Sequence, residues 1–187
     1  FPGSTTAIEG LVAADLNRDG YPDLVVADDT GLRVALNQRG FVFALQPHID
    51  LGSGSPVSVI KAADINRDGA PDLLVGDGGG LSVLNNAGDG SFPVQGQKRY
   101  AATGYFAVSD LNADGAPDVL LLESTSSLRA MLNRGDGTFD PVGKAAPLAI
   151  SLQARVPSPT LPYDGVALDD FDGDGIADVA GVIDVNR

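Results

Sequence analysis

The apolar positions of this chain fall into short runs separated by polar turns, with no long helical face. One set of runs is small and apolar: Gly10 to Ala14, Val57 to Ala63, Tyr105 to Ser109 and Gly165 to Leu168. A second set follows each of these after a polar stretch: Leu24 to Ala27, Leu73 to Gly76, Val119 to Leu122 and Val179 to Val182. Continuous apolar runs of this length suit strands buried on both faces. A third set alternates, with Leu32, Val34 and Leu36 facing one way and Arg33 and Ala35 the other; its counterparts begin at Leu81 and Leu128. A fourth strand is expected to follow the aromatics Phe41 and Phe43, Phe92 or Phe139, and is the least well defined. Gly-rich turns separate the strands.

The polar stretch between the first and second strands is itself a repeat. It reads DLNRDGYPD from Asp15, DINRDGAPD from Asp64, DLNADGAPD from Asp110 and DFDGDGIAD from Asp170. The spacings are 49, 46 and 60 residues. After the first three copies comes a second landmark, LRVALNQRGFVF from Leu32, LSVLNNAGDGSFPV from Leu81 and LRAMLNRGDGTFDPV from Leu128. A unit of about 47 residues with four short strands predicts an all-β chain of β-propeller blades. A parallel β-helix is the competitor, although its rungs are usually shorter. The expected units are 1–50, 51–98, 99–160 and 161–187, the last incomplete. That is three and a half to four blades of a ring that would usually have six to eight. The chain is therefore expected to be part of a longer propeller, or to be completed by other chains that cover its terminal blades. A start at Phe1 rather than Met points to a processed form or a fragment. The longest spacing carries about 12 extra residues within Lys144 to Tyr163, with Pro147, Pro157, Pro159 and Pro162. These fit a surface connection between blades or a partner-facing loop.

Each loop sets oxygen-bearing side chains at positions one, three, five and nine and Gly at six, the spacing that a hard cation asks for. The expected ligand sets are Asp15, Asn17, Asp19, the Tyr21 carbonyl and Asp23; Asp64, Asn66, Asp68, the Ala70 carbonyl and Asp72; Asp110, Asn112, Asp114, the Ala116 carbonyl and Asp118; and Asp170, Asp172, Asp174, the Ile176 carbonyl and Asp178. Water would complete the six to eight oxygens of calcium, so up to four calcium ions are expected. Magnesium fits less well, because it prefers a compact octahedron and keeps its waters. Zinc is disfavoured by the lack of Cys and the single His48. An EF-hand would need a bidentate Glu at position twelve, where this chain has Val26, Val75, Leu121 and Gly181. One such loop could be a plain Asx turn; four in register favour a cation.

Charge supports this reading. The net charge is −13, and 13 of the 25 acidic residues lie in the four loops, leaving 12 acids against 12 Lys and Arg. The acidity sits where a cation would. No basic cluster suits nucleic acid, and no run approaches the roughly 18 apolar residues of a membrane span.

The D-x-[DN]-x-D-G-x-[PA]-D loop and the later L-N-x-G-D-G-x-F turn resemble the FG-GAP/VCBS repeats of integrin-α-like β-propellers. The likeness covers about 170 residues. The Phe-Gly and Gly-Ala-Pro signatures of integrin blades are weak, so the bacterial VCBS-like branch is the nearer match. The first copy departs at Asn37-Gln38-Arg39-Gly40, which lacks the Gly-Asp-Gly of the other two turns. The resemblance implies a seven- or eight-bladed propeller, calcium in the hairpin loops, and a secreted, cell-surface or periplasmic location.

The function expected is therefore non-enzymatic: a calcium-stabilised scaffold or recognition module for a protein or glycan. A segment of a propeller-type polysaccharide lyase or hydrolase is an alternative. Lys98, Arg99, Tyr100 and Tyr105 form the one cluster that could serve such a cleft. A lectin is another, but repeated aromatics are thin, with no Trp and four scattered Tyr. His48 has no nucleophile elbow near it and reads as a loop or strand-edge residue. Gly76-Asp77-Gly78-Gly79-Gly80 lacks the Lys of a phosphate loop and reads as a turn. Arg134-Gly135-Asp136 falls on the repeat's own turn, where the second copy has Ala87-Gly88-Asp89.

Overall fold

The computed structural model describes residues 8–40, 42–52, 54–93, 97–102, 105–124, 127–139, 163–169 and 178–183. Over these residues the chain is all β. Strands β1 (Ile8–Ala14), β2 (Asp23–Asp28), β3 (Gly31–Asn37) and β4 (Phe43–Leu45) form an antiparallel meander in chain order. The same meander follows in β5 (Val57–Ala63), β6 (Asp72–Asp77), β7 (Gly80–Leu84) and β8 (Lys98–Tyr100). A third sheet holds β9 (Tyr105–Ser109), β10 (Asp118–Ser124) and β11 (Ser127–Met131), and a fourth pairs β12 (Tyr163–Asp169) with β13 (Asp178–Ile183). The first strands stand side by side, β1 against β5, β5 against β9 and β9 against β12. Repeated meanders arranged this way are β-propeller blades; the sheets described do not close into a ring. No helix among the described residues is long and apolar enough to cross a membrane.

The expected first and second strands are present: β5 and β9 match their apolar runs, and the others are slightly longer, the Asp at loop position nine opening the second strand of every blade. The poorly marked fourth strand is short, three residues in both β4 and β8. The fourth loop, 170–177, and most of the Lys144–Tyr163 insertion lie outside the described residues.

Burial explains the continuous apolar runs. Every residue of β6 is buried, because blades cover both its faces. One core joins the first two blades, with Leu16, Val25, Leu32 and Val34 against Ile60, Leu73, Val75 and Phe92. A second joins the next two, with Ile65, Leu74, Leu81 and Val83 against Phe106, Val119, Leu121 and Phe139. Leu73 and Leu74 thus face opposite neighbours, as the two-residue period of a strand requires. The core of this protein is a series of interfaces between blades.

Candidate metal loops and the ties between blades

The loop side chains first organise their own backbone. Asp15 accepts the Asp19 N–H on Oδ1 (3.1 Å) and the Gly20 N–H on Oδ2 (2.9 Å). Asn17 Oδ1 also accepts the Asp19 N–H at 3.2 Å, while its amide donates to Asp19 Oδ2 at 3.1 Å. Asp19 Oδ1 takes the Tyr21 N–H at 2.9 Å. The second loop repeats each bond through Asp64, Asn66 and Asp68. The third does so through Asp110, Asn112 and Asp114. Position four turns through a left-handed conformation in all three, with φ near 60° at Arg18, Arg67 and Ala113. Positions one, three and five are therefore brought together.

Position nine behaves differently. Asp23, Asp72 and Asp118 are each 0% exposed. Asp23 holds the N–H of Leu16 at 2.8 Å on one oxygen and that of Asn37 at 2.7 Å on the other. Asp72 does the same for Ile65 and Asn86, and Asp118 for Leu111 and Asn133. This carboxylate joins the start of the loop to the end of the third strand. Burial raises the pKa of Asp72 and Asp118; the backbone donors oppose this, while Asp68 adds to it at Asp72 and Asp114 and Asp110 add to it at Asp118. Among the described residues, no three His, Cys, Asp or Glu side chains gather into a group that could hold a metal. At position seven, Ala70 and Ala116 are buried and Tyr21 is exposed, with the Arg39 guanidinium 5.0 Å from its ring centre. Of the fourth set, Asp178 opens β13, while Asp170, Asp172, Asp174 and Ile176 fall outside the described residues.

The oxygens present fit a hard cation in kind. Each carboxylate oxygen carries a second lone pair beyond the one its N–H uses, and positions one and five place two carboxylates at an exposed rim. Asp15, Asn17, Asp19 and their counterparts would hold calcium there, and the ion would supply charge neutralisation to crowded carboxylates.

The Asn just beyond the third strand of the second and third blades has a role that its sequence did not signal. Asn86 donates to the Leu16 carbonyl of the preceding blade at 2.8 Å and to the Pro71 carbonyl of its own at 3.0 Å. Its Oδ1 accepts the N–H groups of Gly88 and Gly90. Asn133 repeats this, donating to Ile65 at 2.7 Å and Pro117 at 3.0 Å, and accepting from Gly135. Arg at loop position four also crosses blades. Arg67 donates to the Asp114 carbonyl at 2.7 Å and lies 3.1 Å from its Oδ1, while Arg18 lies 3.7 Å from Asp68 Oδ1. These pairs are exposed and screened by solvent, so each contributes little to stability. The available signal was register: Asn37, Asn86 and Asn133 occupy one position of the repeat, as do Arg18 and Arg67.

At the other end of the blades, Asp28 and Asp77 cap the β2–β3 and β6–β7 hairpins by accepting the N–H of Thr30 and Gly79. Each also meets an arginine, Arg33 on β3 at 3.1 Å and Arg99 on β8 at 2.6 Å. Burial alone would raise the Asp28 carboxyl. The hydroxyl and amide of Thr30, with Arg33, outweigh it and hold the pKa below its ordinary 3.8. A folded value below the unfolded one stabilises at neutral pH, and that stabilisation fades as pH drops from 3.8 through the folded value. The destabilisation caused by Asp28→Asn, measured by urea unfolding, should be clear at neutral pH and shrink steadily as the pH falls below 3.8.

The cluster of Lys98, Arg99 and Tyr100 is committed to structure. Arg99 pairs with Asp77 and donates to Ser82 Oγ at 2.7 Å, Tyr100 Oη accepts the Phe139 N–H at 3.1 Å, and Lys98 Nζ reaches the Gly137 carbonyl at 3.3 Å. Tyr105 is 40% exposed on β9. His48 lies beside the bridge between Leu32 and Ile49, with Nε2 3.2 Å from Thr30 Oγ1. Gly76 to Gly80 is the β6–β7 hairpin. In the Arg134-Gly135-Asp136 turn, Asp136 Oδ1 accepts from both the amide and the hydroxyl of Thr138. Phe92 and Phe139, the repeated aromatics, are buried between blades, so neither offers a ring to a sugar. A cavity of about 80 Å³ between the first two blades is lined by Asp28, Thr30, Asp50 and Ser55 among others, with no aromatic side chain.

Fold and loops together define a β-propeller repeat protein. The FG-GAP-like repeat model matches residues 15–75 and 110–181, more than half of the chain, and the chain belongs to that family. Eight solved chains are similar to it. One is an Agrocybe aegerita lectin described as specifically recognising non-reducing terminal N-acetylglucosamine, with 26% identity and a TM-score of 0.55. The match covers 71% of this chain and spans 36% of the lectin's length. No curated protein matches the chain.

Proposed function

We propose that this chain is a segment of a calcium-stabilised β-propeller that acts outside the cytoplasm as a recognition module for a glycan or protein partner. The observation that carries this reading is the threefold, in-register gathering of oxygen side chains at positions one, three and five. Loops with three Asp and one Asn should bind calcium with Kd of about 10⁻⁴–10⁻³ M, a range that fills outside cells. The ion acts as a clip on each hairpin rather than as a sensor, because among the described residues no helix pair flanks the loops. Similarity to a lectin favours a glycan among possible partners. The reading is non-enzymatic, since Lys98, Arg99 and Tyr100, three of the four side chains that could serve a polysaccharide-cleaving cleft, are engaged in contacts within and between blades.

A glycan array that includes terminal N-acetylglucosamine, probed with and without calcium, tests this. Binding of one glycan class that weakens on chelation is the expected result. Binding to none in either condition would remove the glycan reading, and release of cleaved product from a bound polysaccharide would overturn the non-enzymatic one.

A further inference from the structure

The linker from β4 to β5 takes residues 46–56, whereas β8 passes to β9 within residues 101–104. Asp50 and Ser55 of the longer linker wall the cavity of about 80 Å³ opposite Asp28, Asp29 and Thr30 of the first hairpin. Asp29 and Thr30 stand where the second blade has Gly78 and Gly79. There Arg99 fills the corner, 2.6 Å from a Cβ built on Gly79. The polar lining is thus particular to the first blade, and the repeat does not require it. Its hydrogen-bonding roles are settled. Thr30 gives its one hydroxyl proton to Asp28. The contact of 3.2 Å between the same oxygen and His48 Nε2 is therefore one in which the imidazole donates. Asp50 Oδ1 accepts the Gly52 N–H at 2.8 Å and leaves its second oxygen to the cavity. Arg33 neutralises Asp28. Among the described residues no Lys or Arg pairs with Asp29 or Asp50, whose carboxylates are exposed at the rim.

We propose that this cavity holds the end of a glycan whose terminal sugar carries a free amino group. A site lined by acceptors takes a ligand that donates, and the hydroxyls and the ammonium of an amino sugar all donate. The ammonium also meets the two rim carboxylates that lack a cation, so charge and hydrogen bonding select the same group. An N-acetylated sugar has lost that charge and would set a carbonyl, itself an acceptor, among acceptors. A cavity of this size takes the ammonium and the adjoining edge of one ring, with Leu51 and Val57 against its C–H groups. With no aromatic ring in its lining, recognition here depends on polar contacts rather than on stacking. The proposal rests on the glycan reading above and narrows it to one class of sugar.

Calorimetric titration of the 187-residue chain in calcium, with a trimer of glucosamine and a trimer of N-acetylglucosamine, tests this. The glucosamine trimer should bind about tenfold more tightly. Asp29→Asn and Asp50→Asn should each lower its affinity about threefold, as the loss of one exposed charge pair does. Both side chains are exposed, so neither change threatens the fold. Asp89→Asn is the control. It removes the same charge from an exposed turn elsewhere in the second blade and should leave the affinity unchanged. Equal affinity for the two trimers would overturn the proposal, and so would an equal loss in all three variants, which would mean attraction to net charge alone. Preference for the acetylated trimer, unaltered by Asp50→Asn, would remove this site and leave the glycan reading standing. Binding of neither trimer would also overturn the proposal, and the wider glycan array would then decide the broader reading by itself.

Discussion

Asn86→Ala is expected to destabilise the chain by about 3 kcal/mol. The side chain is 4% exposed and serves four backbone groups at once, the carbonyls of Leu16 and Pro71 and the N–H groups of Gly88 and Gly90. Truncation leaves these groups in an interface that excludes water, where each unmet donor or acceptor costs on the order of 1–3 kcal/mol, with the total reduced by relaxation. Asn37→Ala is the internal control. It has the same place in the repeat but one carbonyl partner, and that bond is exposed, so its cost should be nearer 1 kcal/mol. Urea unfolding of both variants decides the matter. Equal losses would mean that the contact across blades adds nothing.

Gly80→Ala should cost at least as much, by a different route. Gly80 has φ of +149°, and a Cβ there would lie 2.4 Å from the Tyr100 carbonyl oxygen. Gly31 occupies the same corner of the first blade, at φ +141°, with its Cβ position 2.1 Å from the Ile49 carbonyl. Both conflicts are with backbone, so relief requires the outer strand to move away. Left-handed extended backbone is nearly closed to other residues and costs of order 1–3 kcal/mol by itself; with the steric conflict, a loss above about 3 kcal/mol is expected. Gly78→Ala, two residues away, meets only ordinary contacts with Ser55 and should change stability by less than about 0.5 kcal/mol. If the two substitutions proved alike under urea, the hairpin corner would not be the constraint described.

These two positions show what could be read from the chain and what could not. Strands, blade period and loop register were visible because they are local: a run such as Leu73 to Gly76 and a loop such as Asp64 to Asp72 each declare themselves within ten residues. Asn86 meets Leu16 across 70 residues, and nothing near Asn86 marks that partner. Gly80 lay within a stretch read as a turn; what makes it necessary is the outer strand, and β8 is three residues long with little apolar signature. Nothing near Arg18 or Arg67 in the chain marks the next blade's Asp that each one faces. Position nine was expected to close an ion site; in the structure the buried carboxylate holds two strand ends together. The loop pattern did not reveal that task, because Asp suits it as well as it suits an ion site.

Thermal unfolding of the 187-residue chain in calcium and in chelator is the most direct test of the proposed ion clips. At ten times Kd each occupied site adds about 1.4 kcal/mol to the folded state, so the melting temperature should rise with calcium over the millimolar range. Asp64→Ala and Asp110→Ala should each remove part of that rise. An identical melting temperature in calcium and in chelator would contradict the claim.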